Sequence, residues 1–370
     1  MPMIKEFEPY LERIEQELKF ALPLLPDQKW RDTVFSELPT SVQNSHFSPL
    51  LTPTRNLVQL GGKRWRPLLQ ILCTEATLNL KKIDDESKRI KVLDASYRMV
   101  PLVEFVHTAS LIHDDIEDSS DTRRGKPAAY ITYGVDTALN AGSWLYFQAA
   151  TCIDSSPFSE EIKNRFYSTY TKELRRLHLG QAMDISWHRD PASKPSVDEY
   201  FAMVRCKTGT LASLAVRIGI LAAGGRMSDC DKAGRIAADI GAGFQILDDV
   251  TNLSTGNPGK KRGDDIVEEK KSLPVLLYIT KAGSNETAYN ALKGCFERAH
   301  YEGIGSSAVE EAIKLLEVSG VINAARDKGI SLINQGCAEF EKLFGADNEA
   351  VKKIKTLFTS MIPEKKESEA

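Results

Sequence analysis

The chain has 370 residues, 42% of them hydrophobic and 27% charged, with a formal net charge of −3. Such a composition describes a globular protein with a substantial core and excludes the basic excess of a nucleic-acid binder. Six scattered cysteines (Cys73, Cys152, Cys206, Cys230, Cys295, Cys337) lack zinc-type spacing, no secretory signal precedes them, and the most apolar run, 211–225, is too short to cross a bilayer; a soluble, cytoplasmic chain with reduced thiols is expected.

Ile4, Phe7, Leu11, Ile14 and Leu18 recur at three- and four-residue steps, which predicts an amphipathic helix packed on the rest of the chain or lying at a subunit interface. Pro23, Pro26, Pro39, Pro49 and Pro53 then predict short helices and irregular connections, so 1–54 reads as an N-terminal segment against a main domain of 55–362. Residues 61–67, GGKRWRP, gather Lys63, Arg64 and Arg66 at a glycine turn that opens an apolar helix. Such a turn can meet an anion, and it can equally be a solvated helix start.

The densest chemistry is in 111–127, LIHDDIEDSSDTRRGKP. Leu102, Phe105, Val106, Ala109 and Ile112 give the preceding segment helical periodicity, which sets Asp114 and Asp118 one turn apart with Asp115 beside them. Carboxylates this close repel unless solvated, protonated or bridged, and their hard oxygens suit Mg²⁺. Arg123, Arg124 and Lys126 then supply donors for phosphate oxygens. A solvated helix end is the plainer alternative. His107, one to two turns before the aspartates, is either an anion donor or a core histidine.

Residues 134–152 are predicted helical, with Trp144, Tyr146 and Phe147 on one side, and 166–187 continue helical to Gln181 and Asp184, polar groups amid apolar neighbours. Lys207 and Thr208 project from an otherwise apolar helix. A second acidic cluster, FQILDDVTNL at 244–253, repeats the first spacing with Asp248, Asp249 and Asn252, with Gln245 a turn earlier. A glycine-rich basic loop comes after it with Lys260, Lys261, Arg262 and Lys270. Two acidic helix faces, each succeeded by a basic loop, predict an all-α bundle that binds metal and diphosphate between facing walls. Further amphipathic helices to Ile362 and a disordered tail, 363–370, complete the reading.

With these motifs placed, the sequence resembles the trans-isoprenyl diphosphate synthases over 61–274, and within them the geranylgeranyl diphosphate synthases. The resemblance rests on GGKRWRP, DDIEDSS with RRGKP, CKTGTL, FQILDDVTNL and the lysine-rich loop. It implies a large single-domain helical bundle with a deep central cavity, commonly a homodimer. It implies Mg²⁺ ions held by Asp114, Asp115, Asp118 and Asp248, with Asp249 nearby, gripping an allylic diphosphate (dimethylallyl, geranyl or farnesyl). Arg123, Lys207 and Lys260 would contact that diphosphate; Lys63, Arg66, His107 and Arg124 would hold isopentenyl diphosphate. Thr208 and Gln245 would stabilise the developing cation, and Lys270 would close over the site. Small Ala109 and Ser110 leave room for the growing tail, while Tyr146 and Phe147 are candidates for a deeper floor that stops it at twenty carbons. A fifteen-carbon or longer product is the alternative.

Two positions depart from the family pattern. Asn252 stands for an aspartate while keeping an oxygen ligand, and Glu269 stands where a glycine commonly precedes the lysine. Rival readings are a catalytically silent subunit of another prenyl synthase, a metal phosphohydrolase built on His113 and Asp114, and a terpene cyclase.

Overall fold

The computed structural model describes residues 5–190, 192–256 and 261–363. They are almost wholly helical: α1 (Glu8–Ala21), α2 (Gln28–Phe35), α3 (Asn44–Gln59), α4 (Trp65–Leu80), α5 (Glu86–Arg98), α6 (Pro101–Glu117), α7 (Ala129–Tyr133), α8 (Val135–Asp154) and α9 (Glu160–His188). The chain continues through α10 (Val197–Val204), α11 (Thr210–Ala222), α12 (Met227–Ser254), α13 (Asp264–Val267), α14 (Leu273–Ala282), α15 (Glu286–Glu302), α16 (Ser307–Val318), α17 (Val321–Phe344) and α18 (Glu349–Ser360). The strands among the described residues are β1 (Thr122–Arg123) and β2 (Lys126–Pro127), an antiparallel pair. The chain is therefore all-α, as its periodicity predicts.

Two compact units divide these elements. The first holds the described residues of 1–173, 211–234 and 341–354, the second those of 174–210, 235–340 and 355–363. In the first, α6 is the central support: Leu102, Val103, Phe105, Val106, Ala109 and Ile112 are each 0% exposed. Its apolar stripe packs mainly on α8, and α1 rests on α4, α5 and α6. In α1, Ile14 and Leu18 are fully buried, and Arg13 bonds Asp94 at 2.7 Å, so the N-terminal helix packs on its own chain. The apolar run at 211–225 forms α11 with its side chains buried, and its one cation, Arg217, pairs with Asp231 at 2.6 Å and Glu173 at 3.2 Å.

The expected short helices and irregular connections hold for 22–43, where the eight-residue α2 stands between connections, but Pro49 and Pro53 interrupt nothing, because they lie inside the sixteen-residue α3. An interior proline costs about 3 kcal/mol. The buried Phe47, Leu51, Leu57 and Val58 of α3 each return about 2 kcal/mol, which offsets both rings.

The second unit is cored by Tyr200, Ile246, Val250, Leu253, Phe296 and Ile313. Between α10 and α11 the helix widens into one π turn, Arg205–Gly209. π turns of this kind recur at functional positions. The tail lies outside the described residues from 364 onward, as does Lys260.

Candidate active site

In the first unit the acidic motif ends α6. Asp118 caps the helix, its N–H donating to Asp114 O at 2.8 Å, and left-handed Ser119 (φ 52°) lets Ser120 N–H reach back to Asp115 O at 2.9 Å. That closure holds the three aspartates at the helix end, but they are not equivalent. Asp114 and Asp118 are half-buried, whereas Asp115 is 1% exposed.

The β1–β2 hairpin turns on Arg124 and Gly125, with φ of 54° and 74°, a pair of positive values that fits a two-residue type I′ connection. It delivers Arg123 to Asp115: Nε donates to Oδ1 at 2.8 Å, Nη2 donates to the same oxygen, and Nη2 stands 3.5 Å from Asp114 Oδ2. Burial raises the Asp115 pKa to about 6 against the pull of Arg123, with Asp114 and Asp118 adding to the rise. Burial works against the charge of Arg123 too, yet its bonds to Asp115 and the nearby aspartates outweigh it and raise its pKa. Asp115 Oδ2 remains buried without a hydrogen-bond partner.

A cationic cluster surrounds the 61–67 turn. Arg64, 4% exposed and left-handed (φ 46°) at the N-cap of α4, binds Glu15 Oε1 and Glu104 Oε1 at 2.6 Å each and Val58 O at 2.5 Å. It therefore braces the turn and is not offered to a ligand. Arg124 donates to Gly61 O and to Leu57 O (3.3 Å). Its guanidinium lies so near Gly62 that a Cβ there would sit 3.1 Å from Nη2. Lys63 is exposed and Arg66 half-buried in the same turn. His107 faces this cluster. Burial first, then Arg66, Arg124, Arg123 and Arg64, hold its pKa well below the usual value, so it is a neutral ring among cations.

Among the described residues no three His, Cys, Asp or Glu side chains converge into a ready-made metal cage. Mg²⁺ does not require one, since it takes one or two carboxylates and completes its shell with water and phosphate oxygens. Asp114 and Asp118 suit that donor set, and the orphaned Oδ2 of Asp115 marks a helix end still short of positive charge.

In the second unit, Gly180 on α9 lets the π turn approach closely: a Cβ there would fall 2.3 Å from Lys207 N. Lys207 Nζ then reaches Asp184 Oδ2 at 2.6 Å. A second chain of bonds runs from Thr208 Oγ1 to Gln245 Oε1 (2.8 Å), and from Gln245 Nε2 to Asp249 Oδ1 (3.0 Å). It ends where Tyr200 Oη donates to Asp249 Oδ2 at 2.7 Å. Asp249 is 7% exposed, and its burial, with Asp265 next in effect, raises its pKa to about 7 against the bonds from Tyr200 and Gln245. Asp248, its neighbour, is exposed.

Asn252 is a correction. Expected to keep an oxygen for a ligand, it is 0% exposed and gives Oδ1 to Asp265 N–H at 3.2 Å, while its backbone carbonyl accepts from Gly263 N–H at 3.0 Å. It fastens the returning loop to α12. Glu269 has φ 53°, and the bonds Glu269 N to Ile266 O (3.1 Å) and Lys270 N to Asp265 O (2.9 Å) make it the left-handed C-terminal closure of α13. That backbone explains why glycine suits this position. Lys270 pairs with Glu268 at 2.7 Å.

On α8 the structure parts the two floor candidates. Tyr146 is 8% exposed and stacks on His113 at 5.5 Å between centroids, but Phe147 is 76% exposed and so cannot share that buried position. Consecutive helical residues point about 100° apart. Ala109 is fully buried, and Ser110 Oγ donates to His107 O at 2.8 Å. His113 bonds Ala109 O at 2.9 Å and Ser143 Oγ at 3.1 Å, so both ring nitrogens are engaged and the phosphohydrolase reading loses its ligand. Sequence reasoning missed Tyr200 and did not pair Asp184 with Lys207. Tyr200 lies seven residues before Lys207, on one helical face, a spacing that could have flagged it.

The family model described as polyprenyl synthetase matches residues 48–311. The chain belongs to that family. This polyprenyl synthetase is 34% identical over 255 residues to the geranylfarnesyl diphosphate synthase of Aeropyrum pernix, covering 64% of the chain and 74% of that protein. It is 39% identical over 230 residues to the geranylgeranyl pyrophosphate synthase of Rhodocybe pseudopiperita, covering 61% and 63%. The crystal structure of geranylgeranyl pyrophosphate synthetase from Pyrococcus horikoshii superposes with a TM-score of 0.73 at 25% identity, over 98% of this chain and all of that one. The chain is thus a prenyltransferase that elongates prenyl chains. Among its described residues no helix is long and apolar enough to cross a membrane.

Proposed function

We propose that the enzyme condenses isopentenyl diphosphate head-to-tail with dimethylallyl, geranyl or farnesyl diphosphate in the presence of Mg²⁺, releasing pyrophosphate and ending at geranylgeranyl diphosphate. The observation that carries this reading is the pairing of two half-buried carboxylates, Asp114 and Asp118, with an arginine, Arg123, that Asp115 holds beside them. Metal donor and anion donor stand together, as a diphosphate ester requires. The metal ligands narrow to Asp114, Asp118 and Asp248; Asp115 and Asp249 serve as anchors for Arg123 and for the Gln245–Thr208 pair. When bound, Mg²⁺ offsets the charge that grows on the diphosphate as the allylic C–O bond breaks.

The chain's own groups do the remainder. Arg123 and Lys207 orient the leaving diphosphate, Lys207 being steadied by Asp184. Thr208 and Gln245, fixed to one another and to Asp249, hold oxygen dipoles in place for the allylic cation. Lys63, Arg66 and Arg124, with neutral His107 as a donor, hold isopentenyl diphosphate, whose double bond attacks the cation. The proton then lost passes to the released diphosphate, so no side-chain nucleophile is needed. Tyr146 limits the product to twenty carbons.

We further assign the enzyme to the cytoplasm as a homodimer. Six free cysteines support the first. An exposed apolar stripe on α8, with Val135 at 51%, Leu139 at 46% and Phe147 at 76%, supports the second, since a second copy would cover it. The Leu139→Glu, Phe147→Glu double variant should sediment as a monomer. The test of activity is incubation with labelled isopentenyl diphosphate, Mg²⁺ and each allylic primer, with chain-length analysis of the products. A discrete twenty-carbon product agrees with the proposal, longer products remove Tyr146 as the stop, and no elongation from any primer overturns it.

A further inference from the structure

We propose that the first unit carries a separate binding site for a neutral, long-chain lipid alcohol, in a cleft between α1, α2 and the C-terminal half of α8. The cleft has a volume of about 940 Å³ and includes Phe20, Leu25, Trp30, Val34, Pro101 and Gln148 in its lining. That is the size of a small-molecule site, and an apolar wall with few placed polar groups is its usual chemistry. None of the residues assigned above to diphosphate, metal or chain length lines it. Pro101 opens α6, and Asp114 lies thirteen residues on, about 20 Å at 1.5 Å per residue.

The decisive group is Gln148. Its side chain is 3% exposed, its Nε2 donates to Ala21 O at 3.3 Å, and its Oε1 has no hydrogen-bond partner. The amide orientation is set by Ala21 O, an acceptor that Trp30 Nε1 also meets at 3.1 Å, so the nitrogen must face it and the oxygen must face away. A buried amide oxygen left unpaired costs about 1–3 kcal/mol. The neighbouring hydroxyls do not satisfy it, because they are committed to helix carbonyls. Thr151 Oγ1 donates to Gln148 O at 2.8 Å, Ser155 Oγ to Thr151 O at 3.1 Å, and Thr33 Oγ1 to Lys29 O at 2.9 Å. The cleft therefore offers one buried acceptor and calls for a donor from outside.

Charge and surface identify the rest of the ligand. Glu17 and Asp27 balance Lys29 and Arg98 along the lining, which favours neither anion nor cation. Asp27 is moreover engaged as the N-cap of α2, accepting from Trp30 N–H at 2.7 Å. At the rim, Phe20 and Leu25 are 77% and 75% exposed, and Leu24 beside them is 71% exposed. Three large apolar side chains left in water within six residues suit a body of hydrocarbon. A hydroxyl on a long apolar chain meets both demands: the chain covers Phe20, Leu25 and Trp30, and the hydroxyl donates to Gln148 Oε1.

The test titrates farnesol and farnesyl methyl ether into the full-length protein by calorimetry. The ether keeps the chain and loses only the donor. Farnesol should bind saturably and about tenfold more tightly than the ether, the effect of one buried hydrogen bond. In Gln148→Leu the two should bind alike. Absence of saturable binding, equal binding of the two probes to the wild type, or an unchanged preference in Gln148→Leu overturns the proposal. Should that variant fold poorly, photolabelling of the wild type with a diazirine farnesol decides the matter: labels within 16–34 and 148–155 support the site, and labels elsewhere sink it.

Discussion

Asp249 invites the sharpest test of the second-unit network, because its burial has a thermodynamic signature in the metal-free protein. Its carboxyl pKa rises from 3.8 to about 7 on folding. A raised carboxyl pKa means that the native state holds its proton more tightly than the unfolded chain. The associated stability is complete below pH 3.8 and is lost as pH climbs to about 7. At 1.36 kcal/mol per unit, a shift of about three units amounts to roughly 4 kcal/mol, of which more than half disappears between pH 5 and pH 8. Asp249→Asn removes the titration. The amide can still accept from Tyr200 Oη, and Gln245 can turn over so that its oxygen accepts from the new Asn nitrogen while its own nitrogen donates to Thr208 Oγ1. With those bonds kept, the variant should match wild type near pH 4 and exceed it by about 4 kcal/mol at pH 8, the wild type's own loss over that range. Urea unfolding monitored by circular dichroism across pH 4–8, without Mg²⁺, measures this. Parallel pH profiles for the two proteins, or a variant less stable at pH 8, would refute the assignment of Asp249 as a buried, reluctant acid.

Other expectations concern single contacts. Asp115→Ala should lower kcat/KM about 100-fold in a steady-state elongation assay, because Arg123 loses the oxygen that both its nitrogens hold. Glu269→Gly should raise the thermal midpoint, since glycine accepts φ 53° without the roughly 1 kcal/mol that a side chain costs there; a lower midpoint would mean that attraction to Lys271 matters more. Tyr146→Ala should shift products beyond twenty carbons in chain-length analysis, whereas Phe147→Ala should leave their length unchanged.

Much of the molecule is readable in the sequence, and the gaps have physical causes. Asp114 and Asp118 declare themselves by charge and helical spacing, and the amphipathic pattern of α1 predicts the face it buries. The inequality between Asp114 and Asp115 is not local: it depends on a hairpin that returns Arg123 to one carboxylate. Asn252 looks like a conservative ligand change until the loop at 263–265 comes back onto it. Tyr146 and Phe147 are both large, apolar and adjacent, so only packing could part them. The prolines of α3 mislead because local propensity weighs less there than four buried side chains.

The π turn at Arg205–Gly209 also sets a limit on how this stretch of chain can vary. Lys207 reaches Asp184 on α9 while Thr208 reaches Gln245 on α12, so two successive residues serve different helices. Deleting Arg205, Cys206 or Gly209 would tighten the turn to a regular α-helix and move Lys207 and Thr208 out of their present positions between the two flanking helices. Lys207 and Thr208 would keep their identities and lose their partners. The segment should thus tolerate exchange of side chains far better than a change in length, and an insertion or deletion there is a more telling mark of lost activity than any single substitution.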